Sequence, residues 1–249
     1  MRVLRTQAGT RFGVLGEKPA APAATLFVFA VGLEDMDRDR VYSEAGRQLA
    51  GHGWLYVALD PPCHGHGQGP DEPAGLPGWA HRVKKGQQLM EPFVKRCVEV
   101  LDFLVAEGYT DPERVAACGT SRGGFCALHF AAAEPRVRAV ACISPVTNLL
   151  ALREFAGVSE EQVRSVNIAH LAEKLAGRAV WLGIGNDDRR VGTDDCIATA
   201  RRLVEAARAR EPTGAVIPVE LVVGPSDGHR AIDDAYTLAA RFVLKQLGE

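Results

Sequence analysis

The 249-residue sequence has no CxxC pair, although it carries six cysteines: Cys63, Cys97, Cys118, Cys126, Cys142 and Cys196. Their scatter offers neither a disulfide framework nor metal-ligand spacing, so they read as reduced structural thiols, and Cys118 and Cys142 sit within apolar runs as small hydrophobes. No window approaches the ~20 apolar residues of a membrane span, and the opening MRVLRTQAGTRFGVLGEKP has no apolar stretch of secretion-signal length. Excess charge is missing too: the formal net charge is −2, which gives neither a nucleic acid nor an anionic membrane a reason to bind. Internal repeats, low-complexity tracts and domain boundaries are also lacking. The expectation is one domain spanning 1–249, located in the cytoplasm. With 47% hydrophobic and 24% charged residues, the chain has enough apolar material for a sizeable core.

What is present is an alternation of apolar strands and amphipathic helices. Two short segments, 2–6 and 11–15, flank a Gly-containing turn and read as an antiparallel hairpin. Buried-strand runs follow at 25–32, 54–60, 114–120, 137–145, 179–185 and 219–224, with no polar face of their own. Helical spacing appears at 39–51, 80–107, 122–133, 193–209 and 231–247, with Pro92 marking a break or kink in the second of these. Residues 61–78 form a Pro/Gly/His-rich loop. Residues 146–177 have no strand pattern and are expected to form a small helical excursion or lid. This order predicts an α/β fold: a mostly parallel eight-stranded sheet with helices on both faces.

The stretch ACGTSRGGF (117–125) puts Ser121 between glycines two positions away on either side, directly after a strand and before a helix. A turn that sharp forces its apex residue into a strained conformation, and side chains at 119 and 123 would collide. Gly119 and Gly123 remove the crowding, and the hydroxyl is held out beyond the carboxyl end of the strand, where open parallel sheets bind ligands. The start of the next helix adds unpaired N–H groups suited to an anion.

A serine hydroxyl needs a base, and the base an orienting acid. Seven histidines compete: His52, His64, His66, His81, His129, His170 and His229. His229 alone follows a late strand, in VVGPSDGHRAID, just before the last helix. Its partner is sought in GIGNDDRRVGTDD, after strand 179–185. Asp194 and Asp195 are explained there as first-turn acids of a helix. Spacing favours Asp188 as the orienting acid, with Asp187 as the alternative and Arg189 or Arg190 as a partner for the spare carboxylate. His64 and His66 in CHGHG could chelate, but two ligands make no zinc site, and a turn lining the pocket entrance is expected instead. The Arg122 side chain can meet a substrate carboxylate or form a surface ion pair. Glu34, Asp35, Asp37 and Asp39, mixed with Arg38 and Arg40, read as a solvated helix start.

With these residues in view, the sequence resembles the α/β-hydrolase fold family, in particular its dienelactone-hydrolase-like and prolyl-oligopeptidase-like serine esterases. Four motifs carry the resemblance over about residues 12–247: GTSRGG at the nucleophile, GNDDRRV at the acid, DGH at the base and D-P-P-C-H-G at 60–65. The chain order Ser121, Asp188, His229 is that family's order. The resemblance implies an oxyanion hole made of two backbone N–H groups, those of Leu33 and Arg122. The sequence departs from the family where strand 25–32 ends in AVGLEDM, with no histidine before the glycine. Aligning Val31-Gly32-Leu33 with the family's H-G-x is what assigns Leu33.

The reaction expected on these grounds is cleavage of a small carboxylic ester through an acyl-enzyme intermediate, with no cofactor and no metal. Thioesters, amides and peptides are the alternatives within enzymes. Relatives that are peptidases usually carry a large N-terminal domain, which this chain has no room for. A different class also remains in view: a hydrolase-fold protein that binds a small ligand without turning it over.

Overall fold

Strands flanked by helices on both sides must be apolar on alternate residues in both directions, and the central runs of this chain are. In the computed structural model, which describes residues 1–211 and 213–248 (the Asp37 side chain lies outside the described residues), those runs form one eight-stranded sheet. The strands are β1 (Arg2–Arg5), β2 (Arg11–Leu15), β3 (Ala23–Phe29), β4 (Leu55–Ala58), β5 (Thr110–Thr120), β6 (Val137–Ile143), β7 (Ala179–Gly185) and β8 (Val219–Gly224). Their spatial order is β1-β2-β4-β3-β5-β6-β7-β8. The expected hairpin forms, with Arg2 opposite Val14, and β2 pairs antiparallel with β4; from β4 to β8 every pairing is parallel.

The helices are α1 (Leu33–Arg38), α2 (Glu44–Ala50), α3 (Gly75–Lys84), α4 (Glu91–Ala106), α5 (Arg122–Ala133), α6 (Glu160–Val163), α7 (Ala172–Leu175), α8 (Thr193–Arg210) and α9 (Ala235–Leu247). Neighbouring strand residues divide between two cores. Phe27 and Phe29 of β3, Val115 and Ala117 of β5, and Val140 and Cys142 of β6 face α3, α4, α5 and α8. Leu26, Val28, Ala116, Cys118, Ala139 and Ala141 face α1, α2 and α9. This is the burial pattern that parallel strands covered on both sides require. On the first face Phe29 meets Phe93 edge-on at 5.2 Å between ring centroids, and Phe27 meets Phe130 at 5.1 Å, geometries that aromatic quadrupoles favour. All six cysteines are free and buried.

Several element boundaries differ from the sequence expectation. The 80–107 helix is two helices, parted at Gly86, whose φ is +66°. Of the break or kink expected at Pro92 the structure has the break: Pro92 lies in the first turn of α4, where a residue needs no N–H partner. The first of the pair, α3, begins at Gly75, inside the stretch read as loop. The 39–51 helix shrinks to α2, preceded by a 3-10 turn at Arg40–Ser43 capped by the Asp39 side chain. The last helix starts at Ala235, after a left-handed Asp234. Residues 146–177 are helical in short pieces, with 3-10 turns at Leu149–Ala151, Arg153–Phe155 and Ile168–His170 beside α6 and α7. Among the described residues no helix is long and apolar enough to cross a membrane.

Candidate active site

Between β5 and α5, Ser121 adopts φ 56° and ψ −118°, a conformation that costs a non-glycine residue roughly 1–3 kcal/mol and persists only where surroundings impose it. Three backbone hydrogen bonds do so. The Ser121 N–H donates to Ile143 O at 2.8 Å, and the Ser121 carbonyl accepts from Gly124 N at 3.0 Å and Val146 N at 3.1 Å. The flanking glycines are sterically required. A Cβ on Gly119 would overlap the Gly123 carbonyl, and one on Gly123 would overlap the Phe29 carbonyl of β3.

The structure brings the three residues expected from the sequence into one chain of contacts. Ser121 Oγ lies 2.9 Å from His229 Nε2, and His229 Nδ1 lies 2.7 Å from Asp188 Oδ2. The Asp188 oxygen can only accept, so the imidazole proton sits on Nδ1 and the Nε2 lone pair faces the serine hydroxyl. Asp188 is 1% exposed, and its Oδ1 accepts the N–H groups of Arg190 (3.0 Å) and Val191 (3.2 Å). Asp187 instead pairs with Arg189 at 2.8 Å on the surface, so the geometry separates the two neighbouring carboxylates.

The loop bearing His229 is held by residues that the motif reading passed over. Ser144, buried at the end of β6 with φ 43°, donates its N–H to Gly183 O (2.7 Å) and its hydroxyl to Arg230 O (2.9 Å). Asn186 Oδ1 accepts from Ser226 N at 3.0 Å, and Ser226 Oγ donates to Gly228 O at 2.6 Å. The only local cue was serine or asparagine at a strand end, too common to single these residues out.

Leu33 corrects the sequence expectation. Its N–H donates to Asp60 Oδ1 at 2.7 Å, and the residue is 2% exposed, so it has no donor left for a substrate oxygen. Asp60, itself 3% exposed, also accepts the His66 N–H on Oδ2 at 3.1 Å and receives Arg96 Nη2 on its carbonyl. One side chain therefore ties the turn after β3 to the D-P-P-C-H-G loop. Val31, two residues before Leu33, lines a cavity of about 350 Å³ together with Ser121, Arg122, Tyr42, His229 and Tyr236. Among the described residues, the N–H groups of Val31 and Arg122 donate to nothing. Residues of 146–177 do not line this cavity. Burial pushes the Tyr236 phenol up to about 12, so this wall of the cavity stays neutral.

The two histidines of CHGHG have separate partners. His64 Nδ1 donates to Pro62 O at 2.8 Å, while His64 Nε2 accepts from Arg122 Nη1 at 2.9 Å. His66 Nδ1 accepts from Arg11 Nη1 at 2.8 Å. His129 lies buried in α5 and donates to Val166 O at 2.7 Å, away from the cavity.

An eight-stranded, mostly parallel sheet with a serine on the strand-to-helix turn of its fifth strand, and its partners beyond the seventh and eighth, is the α/β-hydrolase fold. The sequence profile of the prolyl oligopeptidase family matches residues 78–249, more than half of the chain, and the chain belongs to that family of hydrolases. Among curated proteins no sequence matches it. Solved structures similar to it include TT1662 from Thermus thermophilus, at 22% identity and a TM-score of 0.70 over 100% of both chains. Acetyl xylan esterase 1 from Thermoanaerobacterium sp. is 19% identical, with a TM-score of 0.67 over 98% of this chain and 82% of that one. Porphyromonas gingivalis dipeptidyl peptidase 4 is 15% identical, with a TM-score of 0.67 over 99% of this chain and 35% of that one. At such identities the likeness speaks for the fold alone.

Proposed function

We propose that this protein is a serine hydrolase that cleaves small carboxylic esters through an acyl-enzyme, using Ser121, His229 and Asp188. The observation that carries the reading is the unbroken Oγ–Nε2 and Nδ1–Oδ2 contact chain of 2.9 and 2.7 Å. Ser121 Oγ attacks the ester carbonyl carbon while His229 Nε2 takes its proton. The C–O bond then breaks, and the imidazolium returns that proton to the leaving alcohol. Water, deprotonated by the same imidazole, releases the acid and restores the serine. Asp188 fixes the tautomer and stabilises the imidazolium. The oxyanion is received by the free N–H groups of Arg122 and Val31; the latter takes the role first given to Leu33. Each such donor contributes about 3 kcal/mol to the transition state.

The mechanism needs no cofactor or metal and takes a small-molecule ester as partner. Six free buried thiols fit a reducing, cytoplasmic setting, and the sheet spanning β1 to β8 fits a single catalytic domain. Peptide or other amide cleavage is the second reading, favoured by membership of the prolyl oligopeptidase family.

A panel of p-nitrophenyl esters, thioesters and peptide p-nitroanilides, run on wild type and Ser121→Ala, tests both. We expect ester turnover and fluorophosphonate labelling that vanish together in the variant, a loss of roughly 10⁴-fold or more. Unlabelled wild-type protein that still binds small ligands would point to a receptor instead.

A further inference from the structure

The mechanism uses the backbone of Arg122 and leaves its side chain unassigned. That guanidinium is half-buried, and its hydrogen bond among the described residues runs from Nη1 to His64 Nε2. The partner is a neutral acceptor: His64 places its own proton on Nδ1, toward Pro62 O, and burial pulls its pKa down. No carboxylate among the described residues lies within ion-pairing distance of Arg122. The acids nearby are engaged elsewhere, Asp60 with the Leu33 and His66 amides and Glu154 with Arg190 at 2.6 Å.

Among the described residues Arg122 shares the lack of a carboxylate partner with half-buried Arg47, Arg96 and Arg178, but of these four it alone lines the cavity with Ser121 and His229. Other half-buried arginines are paired. Arg82 pairs with Glu72, Arg136 with Glu134, and Arg190 with Glu154. Arg122 has no such partner, although burial pulls its pKa down as well. Burial disfavours a guanidinium that has no carboxylate in contact, and an anion arriving in the cavity would relieve that cost.

We propose that the Arg122 side chain is the anion subsite of this cavity, and that the ester it serves carries a carboxylate within a few bonds of the scissile carbonyl. The inference rests on the Ser121 hydrolase reading and adds a substrate class to it. With one N–H given to His64, four remain, enough for the two-pronged grip that guanidinium gives a carboxylate. His64 is the positioning residue, which gives the D-P-P-C-H-G loop a task. Gly75 packs beside the Arg122–His64 contact, where an added Cβ would stand 3.3 Å from Nη1 and 3.6 Å from His64 Nε2.

Two matched pairs of esters read the effect. p-Nitrophenyl hemisuccinate against its methyl ester puts the charge on the acyl side, and 4-acetoxybenzoate against methyl 4-acetoxybenzoate puts it on the alcohol side. Wild type is expected to favour the anionic member of one pair, and Arg122→Gln to cut that kcat/KM ratio by roughly 10–100-fold, the range of a charged hydrogen-bonded contact. Arg122→Lys keeps part of the ratio, and His64→Gln lowers it. Should Arg122→Gln not fold, the Lys variant and competitive inhibition of wild type by succinate carry the test.

A wild-type ratio at or below one in both pairs overturns the proposal. So does an Arg122→Gln variant that slows anionic and neutral esters equally, since the guanidinium would then serve the oxygen common to all. Ser121→Ala separates the two levels. If neutral esters lose their turnover in that variant while the ratios ignore residue 122, the subsite fails and the hydrolase stands. If Ser121→Ala changes no rate, both fall.

Discussion

At the β5–α5 turn, Gly119, Gly123 and Gly124 clear the space within the local sequence, while backbone bonds to Ile143 and Val146 hold Ser121 in its strained conformation with the Arg122 N–H beside it unused. At the turn between β3 and α1, which meets the first across the Phe29–Gly123 contact, nothing local has that force. Gly32 has an ordinary φ of −62° there, and the turn is fixed by Asp60, 27 residues beyond Leu33 in the chain. One turn thus has its space cleared by local glycines and is tied by backbone bonds to the end of β6, whereas the other depends on a single side chain at the end of β4. A strained turn held by several backbone hydrogen bonds depends on no single side chain to present its group. A turn dictated from afar presents its free amide, at Val31, only while a distant side chain holds its neighbour.

The largest effect that sharpens this contrast comes from Asp188→Asn, which leaves the nucleophile turn intact but disturbs the imidazole tautomer. A fall of roughly 10⁴-fold in kcat toward activated esters is expected, with folding retained by circular dichroism. Next is Gly123→Ala, whose Cβ would overlap the Phe29 carbonyl. A stability loss of about 3 kcal/mol or more, or failure to fold, is expected from such overpacking, read by urea denaturation. A freely tolerated alanine would show that the two turns do not press on one another.

Asp60→Asn is milder. The amide offers one acceptor where Leu33 and His66 need two, so stability should drop by about 1–3 kcal/mol. Ester turnover should show roughly a 10-fold loss in kcat at nearly constant KM, as a weakened oxyanion donor requires. An unchanged kcat would mean that the β3–α1 turn does not depend on the carboxyl group at all.

The remaining effect leaves turnover untouched and concerns the far end of α5. Burial holds His129 down to about 4, against an ordinary 6.5. The unfolded chain therefore takes up a proton that the folded chain refuses, and this contribution to stability, complete above about pH 6.5, drains away as pH falls toward 4. The integrated loss is on the order of 3 kcal/mol. Thermal melts across that window should show the decline in wild type and a flatter curve in His129→Gln.

The same contrast explains what could be read in advance. Ser121, Asp188 and His229 were legible because each follows the end of an apolar strand, within a recognisable local motif. Asp188 could be preferred over Asp187 only by spacing, and the decision belongs to three contacts made in space. Leu33 was misassigned because its N–H is claimed by a residue on another strand, an event that leaves no mark on the AVGLEDM stretch. Ser144 and Asn186 were invisible for a similar reason: they act on the His229 loop through bonds that span 86 and 40 residues. The eight strands and the mostly parallel sheet were readable from apolar runs, whereas their spatial order was not, and the break expected at Pro92 falls just before it, over residues that include the left-handed Gly86.

Strand β6 contributes none of the three reacting side chains, yet it lies between the strand that ends in the nucleophile and the strand that leads to the acid. Ile143 grips the serine turn, and Ser144 grips both the tip of β7 and the loop of the base. If the proposed proton relay operates, a displacement of this middle plank is expected to carry the serine turn and the imidazole loop together, since both are bonded to its end.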